Sequence, residues 1–158
     1  AWKPYFRIGQ TWQGQNNLPE ANKYFRMALK FNPDYSPALS MLGNNLKRMG
    51  NAAEAEKMLR AAIRSWPMNK YAYDSLAHVL ATLDRRPEAI KMLKYAISID
   101  PNYGVGHANL AMIYSSLNNN KKSLEHLNRA IQLGVQGTVI DRIKSIVTRK
   151  ADQETDND

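Results

Sequence analysis

The sequence predicts an all-α fold in which four helical hairpins follow one another and a single helix caps the last hairpin. Pro33, Pro67 and Pro101 stand 34 residues apart in two successive steps. Small and large apolar residues also recur at fixed places when the chain is divided into units of that length. The units are residues 2–35, 36–69, 70–103 and 104–137. Such a period indicates stacked helix–turn–helix units, each of which buries its apolar side against the next.

Helices A and B of each unit are predicted from residues that meet where two antiparallel helices cross. Three places hold small residues in every unit: Gly9, Gly43, Ala77 and Ala111; Ala21, Ala55, Ala89 and Ser123; Ala28, Ala62, Ala96 and Ala130. Four neighbouring places hold large apolar residues: Ile8, Leu42, Leu76 and Leu110; Phe25, Leu59, Leu93 and Leu127; Leu29, Ile63, Ile97 and Ile131; Trp12, Leu46, Leu80 and Tyr114. Small residues let the two helices approach closely, and the large ones fill the space beside the crossing.

The ends of the helices are predicted from turn residues. Helix A should end at the fifteenth place of each unit, where every residue tolerates a left-handed backbone. The residues at this place are Asn16, Gly50, Asp84 and Asn118. Helix B should begin two or three residues later, where Pro19 and Pro87 suit a first helical turn. It should end near the prolines of the 34-residue period, because a residue before proline disfavours the helical conformation.

An amphipathic helix over residues 138–150 is predicted to cover the end of the fourth hairpin, since stacked repeats need a cap with a polar outer face. Its apolar side holds Ile140, Ile143, Ile146 and Val147. Residues 1–150 are therefore predicted to form one domain. Residues 151–158 are predicted to be a disordered acidic tail, because they contain no apolar residue beyond Ala151.

Over residues 2–137 these aligned positions resemble the tetratricopeptide repeat family. The family's pair of Leu with Gly or Ala corresponds to Ile8-Gly9, Leu42-Gly43, Leu76-Ala77 and Leu110-Ala111. The sequence departs from the family pattern at Ser123, where Ala is expected, and at Val135, where Pro is expected. The resemblance implies a right-handed α-α superhelix whose A helices line a concave groove. It also implies a non-catalytic scaffold or adaptor that binds a peptide or partner segment in that groove.

Inward-facing places on the A helices predict which residues line the groove. They are Arg7, Gln10, Asn44, Lys47, Arg48, Tyr71, Asp74, His78, Asn109 and Met112. Amide side chains donate and accept hydrogen bonds together, which suits an extended peptide backbone, and the cations suit acidic side chains or a carboxylate. Some family members clamp a partner's C-terminal carboxylate with a fixed set of Lys, Asn and Arg. This chain does not match that set, since Met41 and Ser75, among others, occupy the corresponding positions.

No constellation of residues predicts catalysis, a metal or a cofactor. The chain has no cysteine, which excludes disulfides, thiolate metal sites and a Cys nucleophile. Sequence motifs for phosphate loops, zinc hydrolases and serine hydrolases are absent. Asp74 and His78 share a helix face, but no nucleophile or third ligand accompanies them, so they are interpreted as a polar pair of the groove. His107 is expected to pack in the core and His126 to be solvated.

The charge balance bears on the kind of partner. The net charge is +8 at pH 7, and residues 1–150 alone carry +12, which favours an acidic protein or peptide. No small-molecule substrate is predicted. Nucleic acid is disfavoured, because the basic residues scatter over helix B and the turns without a regular ladder of stacking aromatics. No stretch of about 18 apolar residues predicts a membrane span.

Two other functions stay open at this point. Trp2, Pro4 and Phe6 lie near an N-terminal end that no cap precedes, which suggests a homo-oligomer formed through that end. Alternatively, the chain is the recognition domain of a larger enzyme or of an envelope-assembly protein. The lack of an initiator Met predicts a piece of a longer protein or a mature form, and the composition is compatible with both cytoplasm and periplasm.

Overall fold

The computed structural model describes the backbone of residues 1–155, and the side chains in that range except at positions 139 and 150–155. This part of the chain forms nine α-helices and no β-strand. The helices are α1 (Trp2–Gly14), α2 (Leu18–Phe31), α3 (Ser36–Arg48), α4 (Ala52–Ser65), α5 (Lys70–Thr82), α6 (Arg86–Ile99), α7 (Gly104–Ser116), α8 (Asn120–Gln132) and α9 (Thr138–Thr155). Helices α1 to α8 fall two to each predicted unit, so the predicted helical architecture is confirmed. The chain also divides into two compact parts, each larger than a single repeat: Ala1–Arg85, called the first unit below, and the residues from Arg86 onward, called the second unit.

The turns inside the hairpins follow the prediction. The second residue after each A helix adopts a left-handed backbone: φ is 60° at Asn16, 81° at Gly50, 61° at Asp84 and 57° at Asn118. An asparagine then caps three of the four B helices, because its side-chain oxygen accepts a hydrogen bond from a backbone N–H in the first turn. The capping residues are Asn17, Asn51 and Asn119. Local residue choice therefore sets where each helix ends and the next begins.

The core of the first unit depends on the small residues at the helix crossings. A Cβ atom added at Gly43 would lie 2.7 Å from Cγ of Leu59, so glycine is needed for α3 and α4 to approach as they do. Leu42 is fully buried on α3, which packs between α2 and α4. Ile8 was expected to be equally buried but is 39% exposed. Helix α1 packs against α2, whereas α3, which carries Leu42, packs against both α2 and α4.

In the second unit α9 covers the hairpin that α7 and α8 form. Its buried Ile140, Ile143 and Val147 share one apolar cluster with side chains of both helices. The helix begins at Thr138, as predicted, but continues to Thr155 instead of ending at residue 150, since neither glycine nor proline interrupts it. Residues 156–158 of the predicted acidic tail lie outside the described residues. No described helix combines the length and apolar character needed to cross a membrane.

Candidate functional site

Polar side chains join the A helices α1 and α3 of the first unit to each other and to α2. The Gln13 side chain on α1 donates to the Asn45 side chain on α3 at 2.8 Å, and Asn45 donates to Asn22 on α2 at 2.9 Å. Arg48 on α3 also donates to Asn16 at the end of α1. Helix α5 packs against α3 in turn. Asn45 is fully buried, so its bonded amide holds α1, α2 and α3 in one register.

The predicted groove residues of the first unit fall on the A helices α1, α3 and α5, and we call the surface that they form the A-face. Its members are Arg7, Gln10, Asn44, Lys47, Arg48, Tyr71, Asp74 and His78. Arg7, Gln10, Arg48 and Tyr71 are exposed, and the other four are half-buried. The two remaining predicted residues, Asn109 and Met112, lie on α7 in the second unit. Asn109 is only 8% exposed and Met112 is 36% exposed, so Met112 offers the more accessible side chain.

Three charged residues and one histidine of the A-face influence one another electrostatically across α3 and α5. Burial lowers the pKa of Lys47; the charge of Asp74 opposes this shift, and that of Arg48 adds to it. Burial also lowers the pKa of His78, again with Asp74 opposing and Lys47 adding. At neutral pH His78 is therefore uncharged, and Lys47, Arg48 and Asp74 leave one net positive charge. The ammonium of Lys47 is incompletely solvated, so an added anion would stabilise it.

A pocket of about 280 Å³ opens between α3 and α5, next to these charges. Its lining consists of Pro37, Ser40, Met41, Asn44, Trp66, Asn69, Tyr71 and Ser75. Trp66 and Tyr71 are 50% and 64% exposed, so two large aromatic surfaces flank a small concave space. Such an arrangement can accept an apolar side chain. We call it the aromatic pocket.

The turn from α4 to α5 supplies two residues of the aromatic pocket that the groove prediction missed. Asn69 is buried; its side chain caps α5 and donates to the hydroxyl oxygens of Ser36 and Ser40 on α3. The turn also presents Trp66 to the pocket. Both residues depart from the equivalent places in the other repeats. Asn69 corresponds to Tyr35, Tyr103 and Gly137, and Trp66 corresponds to Asn32, Asp100 and Gly134. That departure is the sequence signal that could have revealed them.

A second and larger cavity, about 580 Å³, lies between α2 and α4 on the B-helix side of the first unit. Lys23, Arg26 and Lys30 contribute basic side chains to it. The guanidinium of Arg26 is 2.7 Å from the carboxylate of Glu54, which also lines the cavity, and Lys23 is 3.4 Å from Glu20. Because two of its three cations already have carboxylate partners, this cavity is a weaker candidate for an anionic ligand than the A-face.

In the second unit two histidines face each other. The Nδ1 atoms of His107 and His126 are 3.0 Å apart, whereas the ring centroids are 5.2 Å apart. The two nitrogens therefore point at each other along the line between the rings. That line holds one shared proton but not a metal ion, which needs about 2.0 Å to each nitrogen. The ring of His126 also stacks on Tyr114 at 5.6 Å. The expectation that His126 is solvated was wrong, because α8 turns this residue toward the first turn of α7.

The surroundings of this histidine pair disfavour protonation. Burial is the main cause that lowers the pKa of His107; Arg129 adds to the effect and the Pro101 carbonyl opposes it. Burial and the neighbouring His107 lower the pKa of His126. The other charged groups that act on His126 are Glu125, which opposes the shift, and Lys94 and Lys122, which add to it. Both rings are therefore neutral at pH 7 and share one hydrogen bond.

Nothing in the described part of the chain gathers three or more His, Cys, Asp or Glu side chains that could hold a metal ion. Asp74 and His78 do share one face of α5, four residues apart. Lys47 on α3 interacts electrostatically with both of them, and it is a cation and not a metal ligand.

Comparison with known proteins agrees with the fold. Models of the tetratricopeptide repeat match residues 38–66, 71–103 and 106–133. The structure is similar to that of PilF from Pseudomonas aeruginosa, with a TM-score of 0.85 and 14% identity over 98% of this chain and 71% of that one. It is also similar to YrrB, described as having an unusual peptide-binding site, with a TM-score of 0.80 and 22% identity over 92% and 75%.

A third similar structure is a tetratricopeptide repeat protein of Thermus thermophilus, TTC0263. Its TM-score is 0.77, with 22% identity over 94% of this chain and 80% of that one. No curated protein sequence matches the chain. Since all three identities are below a quarter, these likenesses show the fold alone.

Proposed function

The chain belongs to the tetratricopeptide repeat family, and on that premise we propose that its A-face binds an extended segment of a partner protein. The repeat matches and the shared all-α superhelical fold class identify a protein-interaction scaffold. Such repeat folds are generally non-catalytic. The observation that carries the proposal is the combination on neighbouring helices α3 and α5 of an amide, two cations and the aromatic pocket.

The chemistry of the A-face matches the needs of an extended backbone. Asn44 lines the aromatic pocket and stands one helical turn before Lys47 and Arg48 on α3. Its amide can donate to a peptide carbonyl and accept from a peptide N–H, which a cation cannot do. Gln10 offers a second exposed amide on α1. One structural neighbour is described as having a peptide-binding site, which supports a peptide as the class of ligand.

Selection from a phage-displayed library of random 12-residue peptides tests the proposal. The A-face variant is Asn44→Ala with Arg48→Ala, and the matched control is Lys23→Ala with Lys57→Ala, two exposed residues of the B helices α2 and α4. We expect peptides selected on the wild-type chain to bind the A-face variant at least about tenfold more weakly, equivalent to about 1.4 kcal/mol. The control should bind as the wild type does, and circular dichroism should show that both variants are folded.

Two results would reject the proposal. One is a library that yields no peptide above background after repeated rounds. The other is a set of selected peptides that bind the A-face variant as tightly as the wild type, which would place the binding surface elsewhere.

Self-association is the second candidate function, and exposed apolar residues on α1 and α2 favour it. Ile8 and Phe31 are 39% and 56% exposed. The residues that first suggested this role are less available, since Trp2 and Phe6 pack on Tyr35 with ring centroids 4.1 and 5.0 Å away. Light scattering over a wide concentration range tests it: a mass that stays at that of the monomer removes this candidate.

A further inference from the structure

We propose that the partner segment is an acidic peptide that places one apolar side chain in the aromatic pocket and one carboxylate against Lys47 and Arg48, three or four residues away. This inference rests on the proposed function, because both contacts lie on the A-face. It goes further by stating which two side chains the ligand carries and how far apart they stand.

The size and lining of the aromatic pocket indicate a single side chain. Its volume of about 280 Å³ lies at the lower limit of the range of about 300–1,000 Å³ that is typical of small-molecule sites. Pro37, Met41, Trp66 and Tyr71 supply apolar walls. Because Trp66 and Tyr71 are half or more exposed, an inserted apolar side chain would remove their surface from water, which is favourable. The buried amide of Asn69 already has partners, so the pocket makes no strong demand for a polar group.

The helix geometry sets the spacing between the two contacts. Met41 marks the pocket on α3, and Lys47 and Arg48 follow six and seven residues later. At about 1.5 Å per residue, this separates the two contacts by about 10 Å along the helix. An extended peptide advances about 3.1–3.3 Å per residue, so three residues cover that distance. In a polyproline-type backbone residues three apart also face the same side.

The charges indicate that the second contact takes an anion. Residues 1–85 contain 12 Lys and Arg against six Asp and Glu, so the whole unit attracts acidic ligands. Within the A-face, Lys47 is half-buried beside Arg48, and this environment penalises its positive charge. A carboxylate over α3 would offset that penalty. Asp74 would repel a carboxylate placed over α5, which confines the acidic residue of the ligand to the α3 side.

A scanning set of synthetic peptides tests this inference. Each is a 12-residue Gly/Ser peptide with one Phe at its sixth position and one Glu that is moved through the other positions. Binding is followed by amide chemical shifts of the full chain labelled with ¹⁵N, a method that detects millimolar affinities. We expect the affinity to be about three- to tenfold higher when Glu stands three or four residues from Phe than at other spacings.

Variants then assign each contact. In the Tyr71→Ala variant, replacing the peptide's Phe with Ala should weaken binding much less than it does in the wild type. In the Arg48→Gln variant, replacing the peptide's Glu with Gln should likewise weaken binding much less. Lys23→Gln on α2 is the control, in which both peptide replacements should weaken binding as they do in the wild type. Raising the salt concentration from 50 to 500 mM should weaken only the contribution of the Glu.

The inference is overturned if affinity does not depend on the spacing, if no member of the set binds, or if the two variants leave both losses intact. These results differ from a failure of the proposed function. Random-library peptides that depend on the A-face but lack this pair of residues would leave the proposed function standing and reject only the acidic, apolar pattern.

Discussion

Asn69 has two structural roles at the start of α5, so its removal should cost more than the loss of an ordinary helix cap. Its side-chain oxygen accepts a hydrogen bond from the backbone N–H of Ala72 at 3.2 Å. Its side-chain nitrogen donates to the hydroxyl oxygens of Ser36 at 3.2 Å and Ser40 at 2.9 Å. Ser36 donates onward to the carbonyl of Ala62 at 2.9 Å. Because Asn69 is only 5% exposed, water cannot readily replace these bonds.

The magnitude of Asn69→Ala follows from these bonds. Loss of an Asn cap costs about 1 kcal/mol, and loss of the buried bonds to the serines adds about 1–2 kcal/mol. The free energy of unfolding should therefore fall by about 2–3 kcal/mol. Asn51→Ala is the matched control, because Asn51 caps α4 through the Glu54 N–H at 3.3 Å but is exposed. Its other side-chain bond, to the Glu54 carboxylate at 3.1 Å, is exposed to water. Asn51→Ala should therefore cost about 1 kcal/mol, as for an ordinary cap.

Urea unfolding followed by tryptophan fluorescence measures the free energy of unfolding of each variant. The signal reports on the first unit, because all three Trp residues lie there. With a slope of about 2 kcal/mol per molar urea, the midpoint should fall by about 1–1.5 M for Asn69→Ala and about 0.5 M for Asn51→Ala. The slopes of the two variants must be equal to that of the wild type, because only then do the midpoints compare free energies of unfolding. Unequal slopes would show that the repeat array no longer unfolds cooperatively. Equal losses in the two variants would refute the argument that the bonds to the serines stabilise the unit.

Three further predictions concern pH, an ion pair and the final helix. The free energy of unfolding should fall as the pH is lowered from about 7.5 to about 5.5. The pKa values of His107 and His126 are lowered in the folded state. The unfolded chain therefore binds more protons than the folded chain below about pH 6.5. The double variant His107→Gln/His126→Gln should flatten part of that fall in the urea midpoint; an identical pH profile for variant and wild type would contradict it. Arg85→Ala should change the free energy of unfolding by less than about 1 kcal/mol, because the 2.9 Å bridge to Glu56 is partly exposed. A loss of more than about 1 kcal/mol in the free energy of unfolding that persists in 1 M salt would contradict this expectation. Ile143→Ala should cost about 2–4 kcal/mol, because the side chain is 1% exposed in the cluster under α9. Thermal unfolding measures it, and a loss below about 1 kcal/mol would mean that α9 covers the hairpin only loosely.

The helices could be predicted because their signals are local. Asn16, Asp84 and Asn118 each stand where a left-handed residue ends an A helix, and all three adopt that conformation. The start of α9 at Thr138 follows from the glycines before it. Its end could not be predicted as well, because the residues after position 150 lack a stop signal.

The candidate site could be predicted only in part. The 34-residue period indicates which side chains each A helix turns to one face, which is how Asn44 and Tyr71 were found. It does not indicate which turn residues fold back onto that face, so Trp66 and Asn69 were missed. The period also averages over units, and this hides a residue whose neighbours differ: Ile8 is exposed where its counterparts are buried.

The sequence by itself determined the number of hairpins, their boundaries and the small residues at their crossings, because each of these depends on contacts repeated every 34 residues. Only the tertiary structure decided how polar side chains meet between helices. The bond between His107 and His126 joins side chains 19 residues apart, and the pairing of Gln13 with Asn45 joins side chains 32 apart. Such contacts depend on side-chain direction and on differences of a few tenths of an ångström in the distance between donor and acceptor. A repeat pattern describes which residues are neighbours, but hydrogen bonds and burial depend on where their atoms lie.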